Sequence, residues 1–219
     1  MSDLKNKITE LFTNTYNNDS WNMSSGESKS GLGSSLYFTI NFRRELVELI
    51  QKHDIKKIFD CSCGDWNWMK TIKDSLPTYI GNDVVETMIR DNMEKYGSDN
   101  ISFVCNDMLS QLKIYNDREL DLVICRHTLE HLGTAYSVEV VNEIKRVSKF
   151  ALITSSKDSD KQNSDFNMDG VSGRMVNLSK EPYINNLGEP IYRFFDIQGE
   201  VKIDVVDSPD GCFGFLYEF

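Results

Sequence analysis

Three acids recur at the ends of short apolar runs, and their recurrence is the first chemical signal in the chain. Asp60 closes the run Ile58-Phe59 and precedes the small-residue stretch Cys61-Ser62-Cys63-Gly64; Asp83 closes residues 78–83; Asp107 follows residues 101–106. If each run is a strand, the acids gather on one edge of a sheet, where open α/β sheets bind ligands and a turn of small residues lets a ligand approach the backbone. An acid ending the second run can accept two hydrogen bonds from the hydroxyls of a ribose. Asn106-Asp107-Met108 then offers a polar edge and a flat apolar side chain where an adenine would lie. A fourth run leads into Arg126-His127. An imidazole, with an unperturbed pKa of about 6.5, is suited to accept a proton near neutrality.

The elements that must position these residues follow from hydrophobic periodicity. Residues 4–15 and 41–52 carry apolar side chains at helical spacing, among them Leu4, Ile8, Leu11, Phe12 and then Phe42, Leu46, Leu49 and Ile50. Strands are expected over residues 55–63, 78–83, 101–106, 120–127 and 150–156, with helices over 66–75, 84–96 and 136–149. Such alternation predicts βαβ units with right-handed crossovers and a parallel sheet covered on both faces. Residues 157–199 read as a long polar loop, far beyond ordinary connection lengths and therefore a candidate binding segment. Residues 200–207, the turn Ser208-Pro209-Asp210-Gly211 and residues 212–219 read as a closing antiparallel pair. Between the first two helices, residues 17–35 have the Ser, Gly and Asn content of a linker, yet they contain Trp21, Met23 and Ser30-Gly31-Leu32-Gly33-Ser34, which suit a loop folded over something.

Composition excludes several partners. The chain has 219 residues, with 24 Lys plus Arg against 34 Asp plus Glu and a net charge of −10. That field repels phosphate backbones, so nucleic acid is not an expected partner. The five cysteines form an odd set, three of them within apolar runs, as buried thiols of a reducing compartment do. Cys61-x-Cys63 lacks metal spacing, and the three histidines supply no second cluster, so no metal is expected. His127 and His131 could form a metal pair only with a third ligand such as Asp107 or Asp165. No apolar run reaches membrane length and the N-terminus has no signal-like core, so a cytoplasmic, non-membrane protein is expected. The dinucleotide pattern G-x-G-x-x-G is absent after Gly64, which disfavours a dehydrogenase.

The series Asp60-x-Ser62-x-Gly64, Asp83, Asn106-Asp107 and Leu122-Val-Ile-Cys-Arg126-His127 resembles the motif ladder of class I S-adenosylmethionine-dependent methyltransferases across residues 55–156. The resemblance implies a Rossmann-like, doubly wound, seven-stranded and mostly parallel sheet with a reversed last strand, in a single domain over 1–219. It also implies S-adenosylmethionine as cofactor, with the methionine moiety beside Asp60 and Gly64, the ribose on Asp83, and the adenine near Asp107 and Met108. Its wider cofactor set takes in Ser62, Asp65, Trp68, Val84, Asn106 and Arg126. The chain departs from the family where Ser62 replaces a usual glycine; a positive φ there would strain serine by about 1–3 kcal/mol.

A narrower likeness covers residues 16–195: Trp21 with Ser30–Ser34, Cys63-Gly-Asp-Trp-Asn-Trp68, Leu129-Glu-His-Leu132, and Gly173-Arg174-x-x-Asn177 leading to Pro182-Tyr183. These resemble small methyltransferases of bacteria, invertebrates and large viruses, some acting as sugar O-methyltransferases. On that likeness Trp21, Ser30, Gly31 and Ser34 belong to the cofactor set, residues 1–40 cap the pocket, and residues 157–199 bind the acceptor. The expected activity is O-methylation of a sugar hydroxyl on a glycan or nucleotide sugar. The alternatives are methylation of a protein side chain or small metabolite, and a non-catalytic cofactor-binding partner subunit.

An alcohol acceptor needs a general base at the end of the fourth strand, where Arg126 and His127 stand. His127 is read as that base, with substrate positioning or a structural role as alternatives, and His131 as a pocket-lining partner. Asn163, Asp165, Arg174, Asn177 and Tyr183 offer the paired hydrogen bonds and stacking surface that suit a polyhydroxylated acceptor.

Overall fold

Apolar β-rich runs alternating with amphipathic helices build a three-layered α/β architecture. The computed structural model describes residues 2–21, 26–156, 163, 173, 176–197 and 212–219. Seven strands, β1 (Lys57–Asp60), β2 (Thr78–Asp83), β3 (Ile101–Cys105), β4 (Leu120–Cys125), β5 (Ser148–Ser156), β6 (Tyr192–Ile197) and β7 (Cys212–Glu218), form one sheet in the order β3-β2-β1-β4-β5-β7-β6. Strands β1 to β5 run parallel, and β7 lies antiparallel between β5 and β6. The strand order reverses between β1 and β4, which leaves a crevice at their carboxyl ends.

Both faces of the sheet are buried, so the central strands are apolar on both sides; Ile58 and Phe59 of β1 are both fully covered. One face packs under helices α1 (Ser2–Asn17), α4 (Met108–Leu112), α5 (Thr134–Val147) and α6 (Ile184–Leu187). The other packs under α2 (Ile40–Lys52) and α3 (Glu86–Tyr96), with Trp66 and Trp68 in the same layer. At the opposite edge from the crevice, Asp121 accepts from the backbone N–H of Lys56 and Lys57 at 2.9 and 3.0 Å and from Lys149 Nζ at 2.7 Å, joining the starts of three strands. Cys61, Cys63 and Cys125 are buried, and burial pushes the Cys61 and Cys63 thiols up. Among the described residues no helix is long and apolar enough to cross a membrane.

The structure corrects the sequence reading in two places and decides between its alternatives in a third. The antiparallel partner of the last strand is Tyr192–Ile197, inside the stretch expected to be a loop, while residues 200–207 and the turn Ser208–Gly211 lie outside the described residues. Phe194 anchors this strand by packing its ring 5.7 Å from Phe42 of α2. The expected helix over 66–75 is only a tight 3-10 turn, Met69–Ser75, because the chain enters it through Trp66 at φ +57°. Residues 26–39, within the segment that could have been a linker, are folded, with Leu32–Ser34 in a 3-10 turn.

Gly214 of β7 is where the closing strands approach most tightly: a Cβ there would lie 2.5 Å from the Phe194 ring. Gly214→Ala is therefore expected to lower stability by about 1–3 kcal/mol through overpacking, seen as a reduced midpoint in thermal or urea unfolding. An unchanged midpoint contradicts the packing described.

Candidate active site

The crevice opens into a cavity of about 360 Å³, within the range of small-molecule sites. The turn after β1 contributes Asp60, Ser62 and Gly64, the end of β2 contributes Asn82, Asp83 and Val84, and α4 contributes Met108. After β4 come Arg126, His127, Thr128, Glu130 and His131. Ile8, Phe12 and Tyr16 of α1, Trp21, and residues 30–34 complete the lining, with Trp68 beside them.

Backbone geometry in the first turn explains its sequence. Gly64 sits at φ +57°, and a Cβ there would fall 2.3 Å from Ser30 Oγ, so conformation and close approach both require glycine. Ser62 is not among the residues with positive φ, so the strain that serine would have carried does not arise. Its hydroxyl instead hydrogen-bonds Thr128, linking the turn after β1 to the turn after β4. The left-handed residue of this turn other than glycine is Trp66, fully buried among Tyr79, Tyr96 and Phe103 with ring centroids 4.9 to 5.7 Å away. Aromatic burial offsets the backbone cost of about 1–3 kcal/mol.

The polar groups of the floor are acceptors. Asp83 accepts from the N–H groups of Val84 at 2.8 Å, Val85 at 3.2 Å and Gly64 at 3.2 Å, yet burial still pushes its carboxyl up to about 6. Asp60 accepts from the Tyr79 hydroxyl at 2.7 Å and is likewise pushed up to about 6 by burial. Asn82 is fully buried; its Nδ2 donates to the Cys61 carbonyl at 3.0 Å, while its Oδ1 has no partner among the described residues. An orphaned buried acceptor costs about 1–3 kcal/mol until a donor reaches it.

Residues 26–36 form a strap across the cavity, and Asp65 holds it. Its carboxylate accepts from Ser28 Oγ at 3.0 and 3.1 Å, the Lys29 N–H at 2.8 Å and Ser30 Oγ at 3.1 Å. Glu27 reaches back to accept from Asn67 Nδ2 at 2.8 Å and the Leu36 N–H at 2.6 Å. Arg126, buried against the rings of Phe42 and Trp68, donates to the Gly33 carbonyl at 3.0 Å. Tyr16 and Ser30 share a hydroxyl hydrogen bond of 2.9 Å, which ties α1 to the strap.

His127 stands just beyond β4 at φ +48°, its N–H donating to Thr154 Oγ1 at 2.8 Å. Its Nδ1 lies 2.8 Å from Glu130 Oε1. Burial would raise the Glu130 carboxyl, but His127 and His131 outweigh it and hold the group down at about 2. His131 packs beside Trp21 at 5.2 Å and edge-on to Phe12 at 6.4 Å, giving this side of the cavity an aromatic wall.

Of the residues expected from sequence, Trp21, Ser30, Gly31, Ser34, Asp60, Ser62, Gly64, Trp68, Asp83, Val84, Met108, Arg126, His127 and His131 come together in the lining. Asp65 does not line this cavity; it is the latch just described. Asn106 and Asp107 also stand outside the lining, because both are engaged locally. Asn106 donates to Gln111 Oε1 at 2.9 Å, and Asp107 caps α4 by accepting from the Ser110 N–H at 2.9 Å while also accepting from the Tyr136 hydroxyl.

On the expected acceptor side, Asn163 spends its side chain on the backbone of Asn177 and Glu181 at 2.8 Å. Asn177 is buried and accepts from the Ser179 N–H at 3.0 Å, and Tyr183 is fully buried in the core rather than in the lining. Asp165 and Arg174 lie outside the described residues. The sequence reading missed Ile8, Phe12, Tyr16, Asn82, Thr128 and Glu130 as lining residues. The first three, four residues apart, form one stripe of α1, a spacing visible in the sequence. Among the described residues no three His, Cys, Asp or Glu side chains are placed to hold a metal.

Residues 59–150 match the family model described as a methyltransferase domain. The chain has the class I methyltransferase fold. It is similar to a SAM-dependent methyltransferase from Leishmania major, at TM-score 0.69 and 13% identity over 97% of this chain and 82% of that one. It also resembles the N-methyltransferase NodS from Bradyrhizobium japonicum in complex with S-adenosyl-L-homocysteine, at TM-score 0.64 and 12% identity over 94% and 98% of the two chains. A third similar structure is the 1,6-didemethyltoxoflavin-N1-methyltransferase of Burkholderia thailandensis, at TM-score 0.59 and 11% identity over 85% and 81%. No curated protein matches the sequence. At such identities these structures speak for the fold alone.

The strap gives a direct test. Asp65→Ala removes the acceptor of four hydrogen bonds from Ser28, Lys29 and Ser30 without touching the core. Faster cleavage within residues 26–36 in limited proteolysis, with the global unfolding midpoint shifted far less, is the expected outcome. Equal cleavage rates in both proteins refute the latch.

Proposed function

We propose that this protein is an S-adenosylmethionine-dependent methyltransferase that methylates a hydroxyl of a polyhydroxylated acceptor, a sugar of a glycan or nucleotide sugar. The observation that carries the cofactor reading is the acceptor-only floor at the reversal point of the sheet: Asp60, Asp83 and the orphaned Asn82 Oδ1. The cofactor's hydrogen-bond donors are two ribose hydroxyls, an ammonium and an exocyclic amine, so the residues present fit the group. Asp83 would hold the ribose, Asp60 would face the ammonium across the first turn, and Met108 would lie against the adenine. When bound, the cofactor supplies a sulfonium methyl, which passes to the acceptor oxygen as the carbon–sulfur bond breaks.

The chain's own part is to orient the acceptor and take its proton. His127, at the end of β4 and in the same cavity, is placed to accept the hydroxyl proton as the new bond forms. Arg126 is a positioning group, since its guanidinium is committed to the strap and two aromatic faces. The wall of Phe12, Trp21 and His131 supports a sugar, whose C–H face stacks on aromatic rings while its hydroxyls reach polar groups.

Two measurements test this reading. Calorimetric titration with S-adenosylhomocysteine is expected to show binding that Asp83→Ala weakens at least about tenfold. Because burial raises Asp60 and Asp83 and the ligand's donors favour their ionised forms, binding is expected to tighten as pH rises through about 6, with proton release below it. No heat at millimolar ligand sinks the cofactor reading. For the transfer, profiling of sugar nucleotides, oligosaccharides, peptides and amines by mass spectrometry should show methyl gain on the sugars, and His127→Ala should lower that turnover by about 10²–10⁴-fold with cofactor affinity unchanged. More than half of wild-type turnover in His127→Ala removes histidine as the base, and methyl gain on amines alone removes the sugar.

A further inference from the structure

We infer that Glu130 is a positioning residue for His127, fixing which ring nitrogen carries the proton and keeping a counter-charge beside the imidazole. This rests on the reading of His127 as the base. The two side chains come from one short turn, His127-Thr128-Leu129-Glu130, and meet with Nδ1 2.8 Å from Oε1. Both line the cavity and both are mostly withdrawn from solvent, with side chains 26% and 20% exposed.

The pairing sets the tautomer. A carboxylate is an acceptor only, so the short contact places the proton on Nδ1, and in the neutral ring the basic lone pair belongs to Nε2. Glu130 stays a carboxylate throughout the working range, since His127 and His131 hold its carboxyl at about 2 against the effect of burial. Proton transfer from an acceptor hydroxyl to Nε2 would then give an imidazolium paired with an existing anion. The carboxylate takes up no proton; the imidazolium returns its proton to solvent after the product leaves.

The backbone supports the same reading. His127 is held at φ +48°, a conformation that costs a non-glycine residue about 1–3 kcal/mol, while its N–H is pinned to Thr154 of β5. Strain of this kind persists where the surroundings fix a side chain's direction. Among the described residues, the other titratable and charged groups of the lining are His131 from the same turn, Arg126 from the end of β4, Tyr16 from α1, Asp60 and Asp83 across the floor, and the thiols Cys61 and Cys63 of the first turn. Among the described residues, Glu130 is the carboxylate in hydrogen-bond contact with the ring.

The test reads the ring itself in full-length protein labelled with ¹⁵N-histidine and saturated with S-adenosylhomocysteine, which needs no acceptor. Nitrogen–proton correlation spectra, assigned by the signal that His127→Ala removes, should show His127 as the Nδ1-protonated tautomer. Glu130→Gln should move its titration midpoint to lower pH, with at least a threefold change in protonation constant, while the His131 midpoint moves less and cofactor affinity stays within twofold. An Nε2-protonated wild-type ring overturns the inference, even if the variant fails to fold. So does a midpoint that Glu130→Gln leaves unchanged. Loss of the base reading shows separately, as turnover retained in His127→Ala.

Discussion

A single close approach makes the cavity: the strap at Ser30 against the turn at Gly64. The two segments meet where a Cβ on Gly64 would fall 2.3 Å from Ser30 Oγ, and the Asp65 carboxylate, one residue on, gathers the hydrogen bonds of Ser28, Lys29 and Ser30. Everything on the N-terminal side of the site is placed from there. Ser30 carries Tyr16 and so α1, and Gly33 is held to Arg126, the residue before His127. The packing of the Ser30 side chain on Gly64 thus connects the strap, the first helix and the end of β4.

The floor is costly by design. Two carboxylates and an amide oxygen are buried at the ends of β1 and β2, and burial, more than any other influence, pushes both acids up to about 6 despite the donors aimed at them. The apolar layers above and below the sheet must carry that cost, and they are extensive, with aromatic groups such as Trp66, Tyr79 and Phe103 packed under the first turn. Preorganised acceptors of this sort are repaid when a ligand brings donors, which is why strained and under-satisfied residues collect at this end of the sheet.

Much of this was legible in the sequence. Apolar runs ending in Asp60 and Asp83 located the strand ends, and the family resemblance carried by the motifs implied the seven-stranded sheet with its reversed last strand. Asp107 stands outside the lining because one residue type serves two purposes: an acid after a strand can face a ligand or cap the next helix, and Ser110 three residues on favours the cap. The burial of Tyr183 and Asn177 was not legible because a polar stretch hides it; their positions depend on α6 and on the Asn163 brace, neither encoded in local pattern. Strand β6 was hidden in the same way, since Tyr192–Ile197 becomes a strand by pairing with β7 and burying Phe194 on α2. Glu130 was visible beside His131, but its partnership with His127 needed the geometry of a turn that a left-handed residue opens.

The attachment of α1 has a thermodynamic meaning. Lys5 reaches Ser110 and lies 3.6 Å from Asp107, the residue that caps α4, while the stripe Ile8, Phe12 and Tyr16 closes the cavity. The helix therefore acts as a ligand in cis, tethered at high effective concentration and competing with nothing but solvent. A ligand that touched this stripe would bind the docked helix in preference to an undocked one, and its apparent affinity would scale with the docked fraction. Occupancy of the site and order in the N-terminal segment are two faces of one linked equilibrium.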